Sequence, residues 1–440
     1  MSQFRLARIS LILAATLGLN AVPALLPAAF AQDKAAAPAA AAPKADTIRP
    51  DMFKLLDPAK VKEMLTTKKY AEVQANITAA EAFPDRTPYE NYIIDRMKLA
   101  LGSGTGNDQM AMTALESVIN SGRTDKADQA DFIQALANYH YNAKNYTKAL
   151  EWFKRYQKEA TDPSKVRRPM SRAYFLNNDF VNSKLELDKL VADAEAAGTA
   201  PTMDDLRLQA SAAAKLKDMT SYTASLEKLV ALYPTDDFWT DLLRRMQSKP
   251  TFSNRLQLDV YRLEMVALKE MAPEEYTEMT ELALLGGYFT EAKEAMDAGF
   301  AKGVLGKGAN AAKHKQLHDK AIKGAADDAK TIGAGEAGAV AAKTGLPMVN
   351  LGYAYVTMGQ FEKGIPMMEK GIAKGGLKNA DDAKLHLAVA YAKAGRKADA
   401  IKAFEGLKGN DGMTDLSKYW TMFLKGPATP AAAAAPATVK

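Results

Sequence analysis

Apolar residues recur at spacings of three and four along nearly the whole chain, which is the period of a helix with one buried face. Leu256, Val260 and Leu263 give a clear example. Prolines such as Pro84 and Pro163 fall at the ends of these segments, where they do not interrupt helical hydrogen bonds. No segment alternates apolar and polar residues as a half-buried strand would. The pattern therefore predicts an all-α fold.

The helical pattern also repeats along the chain. A segment that starts near Leu136 returns 34 residues later with apolar, aromatic and small residues in the same places. A weaker copy starts at Leu216, a partial one at Leu285, and the clearest ones at Leu351 and Leu387. The first copy is marked by Leu136, His140, Tyr146, Ala149 and Phe153, and the second by Met170, Tyr174, Phe180, Ser183 and Leu187.

These segments resemble the tetratricopeptide repeat (TPR), a helix–turn–helix of 34 residues. In that family a small residue on the first helix lets two helices approach closely, as Gly352 and Ala388 would here. Gly359 and Gly395 suit the turn between the helices. The resemblance implies an α-solenoid of TPR-like helix pairs that serves as a binding platform. Residues 351–395 are also similar to uncharacterised exported TPR proteins of Gram-negative bacteria.

The first 31 residues have the order of a secretory signal peptide. Arg5 and Arg8 precede an apolar run, and Ala29-Phe30-Ala31 fits a cleavage site before Gln32. We therefore expect a periplasmic protein, with secretion as the other outcome. The predicted organisation is a signal peptide (1–31), an Ala/Pro-rich linker (32–50), a solenoid of degenerate TPR-like repeats (51–302), a Lys/Gly/Ala-rich insertion (303–345), C-terminal TPR repeats (346–425) and an Ala/Pro-rich tail (426–440).

The composition excludes cysteine chemistry and argues against nucleic-acid binding and a membrane span. The chain has no cysteine, which excludes disulfides and a lipid anchor on cysteine. Its formal net charge is +6, but 58 Lys and Arg residues are interspersed with 52 Asp and Glu residues. A nucleic-acid surface would concentrate the positive charge, so we expect no nucleic-acid partner. No segment after the signal peptide is long and apolar enough to span a bilayer.

The chain lacks the motifs of common catalytic sites. It has no G-x-S-x-G elbow and no G-x-x-x-x-G-K-[ST] phosphate loop, and the glycines around Ser103 lack a preceding strand. Adjacent acids such as Glu274-Glu275 stand where helices should begin, so their predicted role is to stabilise helix N-termini. We therefore predict no catalytic residues, no cofactor and no enzyme activity.

His314 and His318 are the weak candidates for a metal site. They are four residues apart, so on a helix they share one face and could bind a transition metal together. Three lysines, at positions 313, 315 and 320, surround the pair and oppose a second cation. A solvated helix face is the favoured interpretation, and no metal site is predicted.

The resemblance to TPR proteins implies a binding groove along the first helices of the repeats. The corresponding positions in two adjacent repeats are Gln134, Asn138, Tyr141 and Asn142, followed by Arg168, Arg172 and Phe175. Asparagine and arginine on adjacent helices resemble, in part, the clamp that some relatives use for a peptide carboxylate. Gln134 stands where that clamp has a lysine. Near the C-terminus the same surface would be lined by Tyr353, Thr357 and Lys393.

These features favour a scaffold that binds a protein or peptide partner in the bacterial envelope without catalysis. The alternative is a polysaccharide-binding or accessory enzyme subunit of the envelope that uses the insertion at 303–345. The sequence leaves the identity of the partner and the oligomeric state open.

Overall fold

The computed structural model describes residues 46–427. Every regular element in that range is helical, and the range contains no strand. The all-α prediction is therefore confirmed. None of its helices is both long and apolar enough to cross a bilayer. The predicted signal peptide, most of the predicted linker and residues 428–440 of the predicted tail lie outside the described residues.

The chain divides into two compact units, with the boundary between Leu187 and Asp188. The helices of the first unit are α1 Pro50–Leu55, α2 Pro58–Thr66, α3 Tyr70–Glu81, α4 Pro88–Thr105, α5 Asp108–Asn120, α6 Lys126–Asn142, α7 Tyr146–Glu159, α8 Arg167–Leu176 and the start of α9 Phe180–Ala196.

The second unit contains the rest of α9 and the remaining helices. They are α10 Met203–Lys215, α11 Met219–Leu232, α12 Asp236–Gln247, α13 Gln257–Ala267, α14 Pro273–Leu285, α15 Phe289–Ala301, α16 Ala311–Thr331, α17 Glu336–Ala341, α18 Leu346–Thr357, α19 Phe361–Lys374, α20 Ala380–Lys393, α21 Lys397–Glu405 and α22 Met413–Lys425.

Consecutive helices pack as antiparallel pairs, including α6 with α7, α10 with α11, α18 with α19 and α20 with α21. The tight turns within these pairs contain a residue with a left-handed backbone. Gly359 and Gly395 hold this conformation in the last two pairs, with φ of 74° and 73°. A glycine adopts it without the steric clash that a Cβ atom causes, which is the role predicted for both residues.

Each unit has its own apolar core, built from the residues that the repeat pattern singles out. In the first unit Leu136 and Ala137 on α6 pack with Phe153 on α7, and all three are fully buried. In the second unit Phe404 is fully buried and stacks on Trp420, with the ring centres 5.4 Å apart. The large apolar and aromatic positions of the repeat therefore form the interior of the helix pairs.

The region predicted as an insertion, 303–345, forms α16 and α17. Helix α16 has 21 residues and packs along α15, and Ala321 on this helix is fully buried. Gly324 lies against the ring of Phe289, where a Cβ atom would be only 2.3 Å from the ring. The small residues of this region therefore allow α16 to pack closely on its neighbour.

Candidate functional site

The residues predicted to bind a partner lie on α6 and α8 in the first unit. One side of α6 packs in the core, where Phe132, Ile133 and Leu136 are almost fully buried. The predicted residues lie at other positions of the same helix: Gln134, Asn138 and Tyr141 are half-buried and Asn142 is exposed. On α8 Arg168 is exposed, while Arg172 and Phe175 are half-buried.

The structure brings two of these residues, from different helices, within range of each other. Partial burial raises the pKa of Tyr141, and the positive charge of Arg172 acts in the opposite direction. Tyr141 also contacts Tyr146 edge to face, with ring centres 5.7 Å apart, and Phe175 contacts Phe180 in the same way at 5.2 Å. Helices α6 and α8 therefore contribute polar and aromatic groups to one accessible surface, which we call the α6/α8 face. The carboxylate clamp stays a prediction.

The same repeat positions have a different environment in the second unit. Val349 and Tyr353 on α18 correspond to Gln134 and Asn138, and both are fully buried. Thr357, which corresponds to Asn142, is 5% exposed, and its hydroxyl donates a hydrogen bond to the carbonyl of Ala354 at 2.7 Å. The expectation that Tyr353 and Thr357 line an open surface was therefore wrong. Of the three residues predicted there, Lys393 is the exposed one.

Tyr353 is buried because it packs against an ionic cluster in the interior of the second unit. Arg262 on α13 donates two hydrogen bonds to Glu291 on α15, with N···O distances of 2.7 and 3.0 Å. Arg262 also donates to Asp259 at 2.6 Å, and His386 on α20 lies 3.3 Å from the same carboxylate. The side chains of Arg262 and Glu291 are each only 1% exposed.

The charges in this cluster stabilise one another against the cost of burial. Burial alone would raise the pKa of Asp259, but the neighbouring His386 and Arg262 lower it to about 2. Burial likewise opposes ionisation of Glu291, and Arg262 nevertheless holds the pKa of Glu291 below its usual value. Both carboxylates are therefore ionised at neutral pH, which keeps the attraction to Arg262 at full strength.

Aromatic rings surround the guanidinium group of Arg262. Its central carbon lies 4.6 Å from the ring centre of Tyr353 and 5.2 Å from that of Tyr288. The hydroxyl of Tyr353 donates a hydrogen bond to Glu291 at 3.2 Å, and its ring lies 5.3 Å from that of His386. Tyr353 therefore joins α13, α15, α18 and α20 through cation–π and hydrogen-bonding contacts.

Further polar contacts hold the C-terminal helices of the second unit against its earlier ones. Lys249 pairs with Asp415 at 2.6 Å, and Arg255 pairs with both Asp382 and Asp411. The backbone N–H of Ser253 donates to the carbonyl of Asp411 at 2.9 Å. These contacts join the segment between α12 and α13 to α20 and to the start of α22, and α20 also contacts α13 through His386 and Asp259.

The two histidines considered for metal binding are engaged in local contacts. His314 is buried, and its Nδ1 accepts a hydrogen bond from the N–H of Gly306 at 3.1 Å. Nε2 of His318 lies 2.7 Å from Asp297, and its ring stacks on Phe300 at 4.9 Å. Within residues 46–427, no group of three or more His, Asp or Glu side chains is arranged to hold a metal ion.

A polar cavity of about 460 Å³ lies where α14 faces the start of α16. Glu274, Glu278 and Glu281 contribute carboxylates to its wall, and Asn310 contributes an amide. Lys313, also in the wall, forms an ion pair with Glu281 at 2.8 Å. At this cavity, polar side chains from the start of the predicted insertion and from α14 converge.

Sequence comparison supports the repeat in the C-terminal part of the chain. A family model described as tetratricopeptide repeat matches residues 349–412, which include most of α18 and all of α19, α20 and α21. No curated protein matches the chain significantly.

Among solved structures, the chain is similar to one described as the structure of Naa15/Naa10 bound to HypK-THB. The two chains share 12% sequence identity with a TM-score of 0.26, and the alignment covers 83% of this chain and 70% of the other. The TPR character predicted from the sequence is supported by the match at residues 349–412 and by the packed helix pairs.

Proposed function

We propose that this protein is an exported, non-catalytic scaffold that binds a protein or peptide partner on the α6/α8 face. The observation that carries the proposal is the contrast between equivalent repeat positions. Gln134, Asn138 and Asn142 are polar and accessible in the first unit, whereas Val349, Tyr353 and Thr357 are buried in the second. A groove that is filled by its own chain cannot receive a partner, so the α6/α8 face is the favoured place for one.

The chemistry of this face suits an extended peptide. The amides of Gln134, Asn138 and Asn142 can each donate and accept hydrogen bonds, which matches the alternating N–H and C=O groups of a peptide backbone. Tyr141 and Phe175 add aromatic surface, a side-chain type enriched at protein interfaces. Arg168 and Arg172 add guanidinium groups, each with five N–H donors that can be shared with oxygen atoms of a partner segment.

The proposed location in the bacterial envelope rests on the signal pattern of residues 1–31. It has a simple test: the N-terminus of the protein isolated from cells should be Gln32. A mature chain that begins at residue 1 or 2 would remove the envelope setting and leave the α6/α8 proposal in place.

Partner binding is tested by affinity capture from a crosslinked envelope extract of the host. We compare the wild type with a variant that combines Gln134→Ala, Asn138→Ala and Asn142→Ala. The control combines Lys148→Ala, Glu151→Ala and Lys158→Ala, which removes exposed polar side chains from α7 of the same helix pair. The proposal predicts a specific protein that is captured by the wild type and the control and falls about tenfold with the first variant.

A partner retained equally by all three proteins would show that binding occurs elsewhere. Enrichment of glycan without a protein would favour the second candidate function, a polysaccharide-binding subunit. The observation behind that candidate is the polar cavity between α14 and α16, because carboxylates and amides bind sugar hydroxyl groups.

A further inference from the structure

The polar cavity between α14 and the start of α16, which we call the α14/α16 cavity, has an acidic wall on one side. Glu274, Glu278 and Glu281 line it at helical spacing, so their carboxylates share one face of α14. Lys313 pairs with Glu281 at 2.8 Å, and the hydroxyl of Tyr261 donates to Glu278 at 2.8 Å. Neither Glu274 nor Glu278 has a cationic partner among the described residues.

The charges of this wall favour a cationic ligand. Three carboxylates and the single ammonium group of Lys313 leave the lining with a net negative charge. Like charges four residues apart on a helix repel each other, and a cation bound beside Glu274 and Glu278 relieves that repulsion. An anionic ligand would itself be repelled by the same carboxylates.

His314 adds a hydrogen-bond donor that the protein does not use. The residue is 3% exposed, and its Nδ1 accepts a hydrogen bond from the N–H of Gly306 at 3.1 Å. In the neutral ring the proton is therefore on Nε2. Nε2 has no partner among the described residues, and it is not one of the fully buried polar atoms, so it keeps accessible surface. Because His314 lines the α14/α16 cavity, this N–H is available to a ligand there.

The two kinds of wall together specify the polar groups of the ligand. Carboxylate oxygens only accept hydrogen bonds, and they outnumber the donors of Asn310, Lys313 and His314. A ligand therefore needs mainly donors, with an acceptor for His314. An ammonium group supplies donors and positive charge. A hydroxyl group can accept from His314 and donate to a carboxylate at the same time.

The volume of about 460 Å³ leaves room for a ligand of several polar groups. It is about three times that of a cavity of roughly 150 Å³ that holds one benzene molecule in another protein. We propose that the α14/α16 cavity binds a small organic ammonium ion that also carries several hydroxyl groups, the chemistry of an amino sugar. This proposal rests on the second candidate function, sugar binding at this cavity, and adds a requirement for positive charge.

The test compares three ring compounds at pH 7, where most of the amino groups are protonated. D-Glucosamine carries both the ammonium group and the hydroxyl groups. D-Glucose has a hydroxyl group in place of the ammonium group, and cyclohexylamine has the ammonium group without hydroxyl groups. We expect glucosamine to bind about tenfold more tightly than either of the others, because only glucosamine satisfies both the carboxylates and His314.

NMR titrations of the full chain with ¹⁵N-labelled histidine measure the affinities and locate the ligand. The chain has four histidines, and the spectrum of His314→Gln identifies the resonance of His314. Glucosamine should shift the Nε2 resonance of His314 and leave that of His140, in the first unit, in place.

A variant and a matched control separate the contribution of the acidic wall. Glu274→Gln removes one carboxylate and should lower the affinity for glucosamine about fivefold, with little effect on that for glucose. The control is Glu362→Gln, because Glu362 is likewise an exposed acid in the first turn of a helix, α19. It should leave both affinities unchanged.

The wild type alone can overturn the proposal, so the test does not depend on the folding of a variant. Equal affinity for glucosamine and glucose would remove the requirement for positive charge and leave sugar binding in place. Equal affinity for glucosamine and cyclohexylamine would remove the role of the hydroxyl groups and, with it, the support for sugar binding. Failure of all three compounds to bind, or an unmoved His314 resonance when glucosamine binds, would overturn the site itself.

Discussion

At the scale of single residues, Glu264 is a buried acid that the fold keeps protonated. It is 3% exposed, and one carboxylate oxygen has no hydrogen-bond partner among the described residues. Burial, together with the negative charges of Glu275 and Glu278, raises the pKa of Glu264 to about 8. The unfolded state releases this proton near pH 4.5, whereas the native state keeps it up to about pH 8. The free energy of unfolding therefore falls as the pH rises from 4.5 to about 8.

Glu264→Gln should remove this pH dependence because glutamine does not ionise. We expect the variant to match the wild type at pH 5 and to exceed it by roughly 2–4 kcal/mol in free energy of unfolding at pH 9. Urea denaturation at both pH values measures the difference. Glu274→Gln removes the same charge from an exposed position and should change stability by only a few tenths of a kcal/mol at either pH. A Glu264→Gln variant that gains nothing at pH 9 would show that the carboxyl is solvated.

The residues that turn one helix into the next show what the sequence can and cannot predict. Gly359 and Gly395 were identified because glycine favours a left-handed backbone. Lys144 and Lys217 hold the same conformation, with φ of 61° and 59°. Lysine has no preference for this region, so the spacing of the repeat imposes the conformation there. The left-handed backbone at these two lysines can be predicted only by aligning their copies of the repeat with the copies that have glycine in the turn.

At the scale of elements, α18 and α19 approach so closely that glycine is required at their contact. A Cβ atom at Gly352 would lie 2.7 Å from the carbonyl oxygen of Gly364 and 2.7 Å from a side-chain carbon of Met368. In the sequence, Gly352 on the first helix of the pair predicts this close approach. Gly364 takes part in the same contact, since a Cβ atom there would be 2.5 Å from the carbonyl oxygen of Gly352.

Gly352→Ala should therefore force the two helices apart and lower the free energy of unfolding by about 2–3 kcal/mol. Gly338→Ala is the matched control, because Gly338 lies in helix α17 with no other atom near its Cβ position. Alanine favours the helix there, so the control should be neutral or more stable by about 0.5–1 kcal/mol. Equal effects of the two substitutions in thermal or urea denaturation would contradict the close packing of α18 on α19.

The ionic cluster could not be found from the sequence. Helix α13 reads QLDVYRLEMVA, where Asp259 and Arg262 interrupt an otherwise mainly apolar segment. That interruption hints at a buried charge, but the partner Glu291 is 29 residues away and Tyr353 lies 62 residues beyond it. Helical periodicity specifies which face of a helix is buried and does not specify which distant helix covers it. The tertiary packing of the second unit decides that.

Arg262→Leu should be strongly destabilising because it leaves Glu291 and Asp259 buried without their cationic partner. We expect a loss of about 3–5 kcal/mol in the free energy of unfolding. The double variant Arg262→Leu with Glu291→Leu removes one of the orphaned charges and should recover a large part of the loss. Double-mutant analysis of urea unfolding measures the coupling. Additive losses would contradict the direct contact between Arg262 and Glu291.

At the scale of the whole molecule, one repeat pattern serves two purposes. In the first unit the first-helix positions remain accessible and polar, and in the second unit they form an interior around Arg262 and Tyr353. The sequence predicted the helical class and the repeat, but it assigned Tyr353 and Thr357 to an open surface. That error arose because the repeat pattern describes neighbouring helices only, whereas the contacts of α20 and α22 with α13 join distant parts of the chain.

The central claim is that equivalent repeat positions are open in the first unit and closed in the second. The natural chain has no cysteine, so single cysteines can report on each position separately. The pairs to compare are Gln134→Cys with Val349→Cys, and Asn142→Cys with Thr357→Cys. The measurement is the rate at which a maleimide labels each folded variant.

We predict that the cysteines at 134 and 142 react at rates close to that of an exposed control, Lys148→Cys. The cysteines at 349 and 357 should react at least about 100-fold more slowly, because labelling there requires local opening of a packed helix. Equal rates within each pair would show that the groove of the second unit is as open as the α6/α8 face. That result would remove the main reason for placing the partner on the first unit.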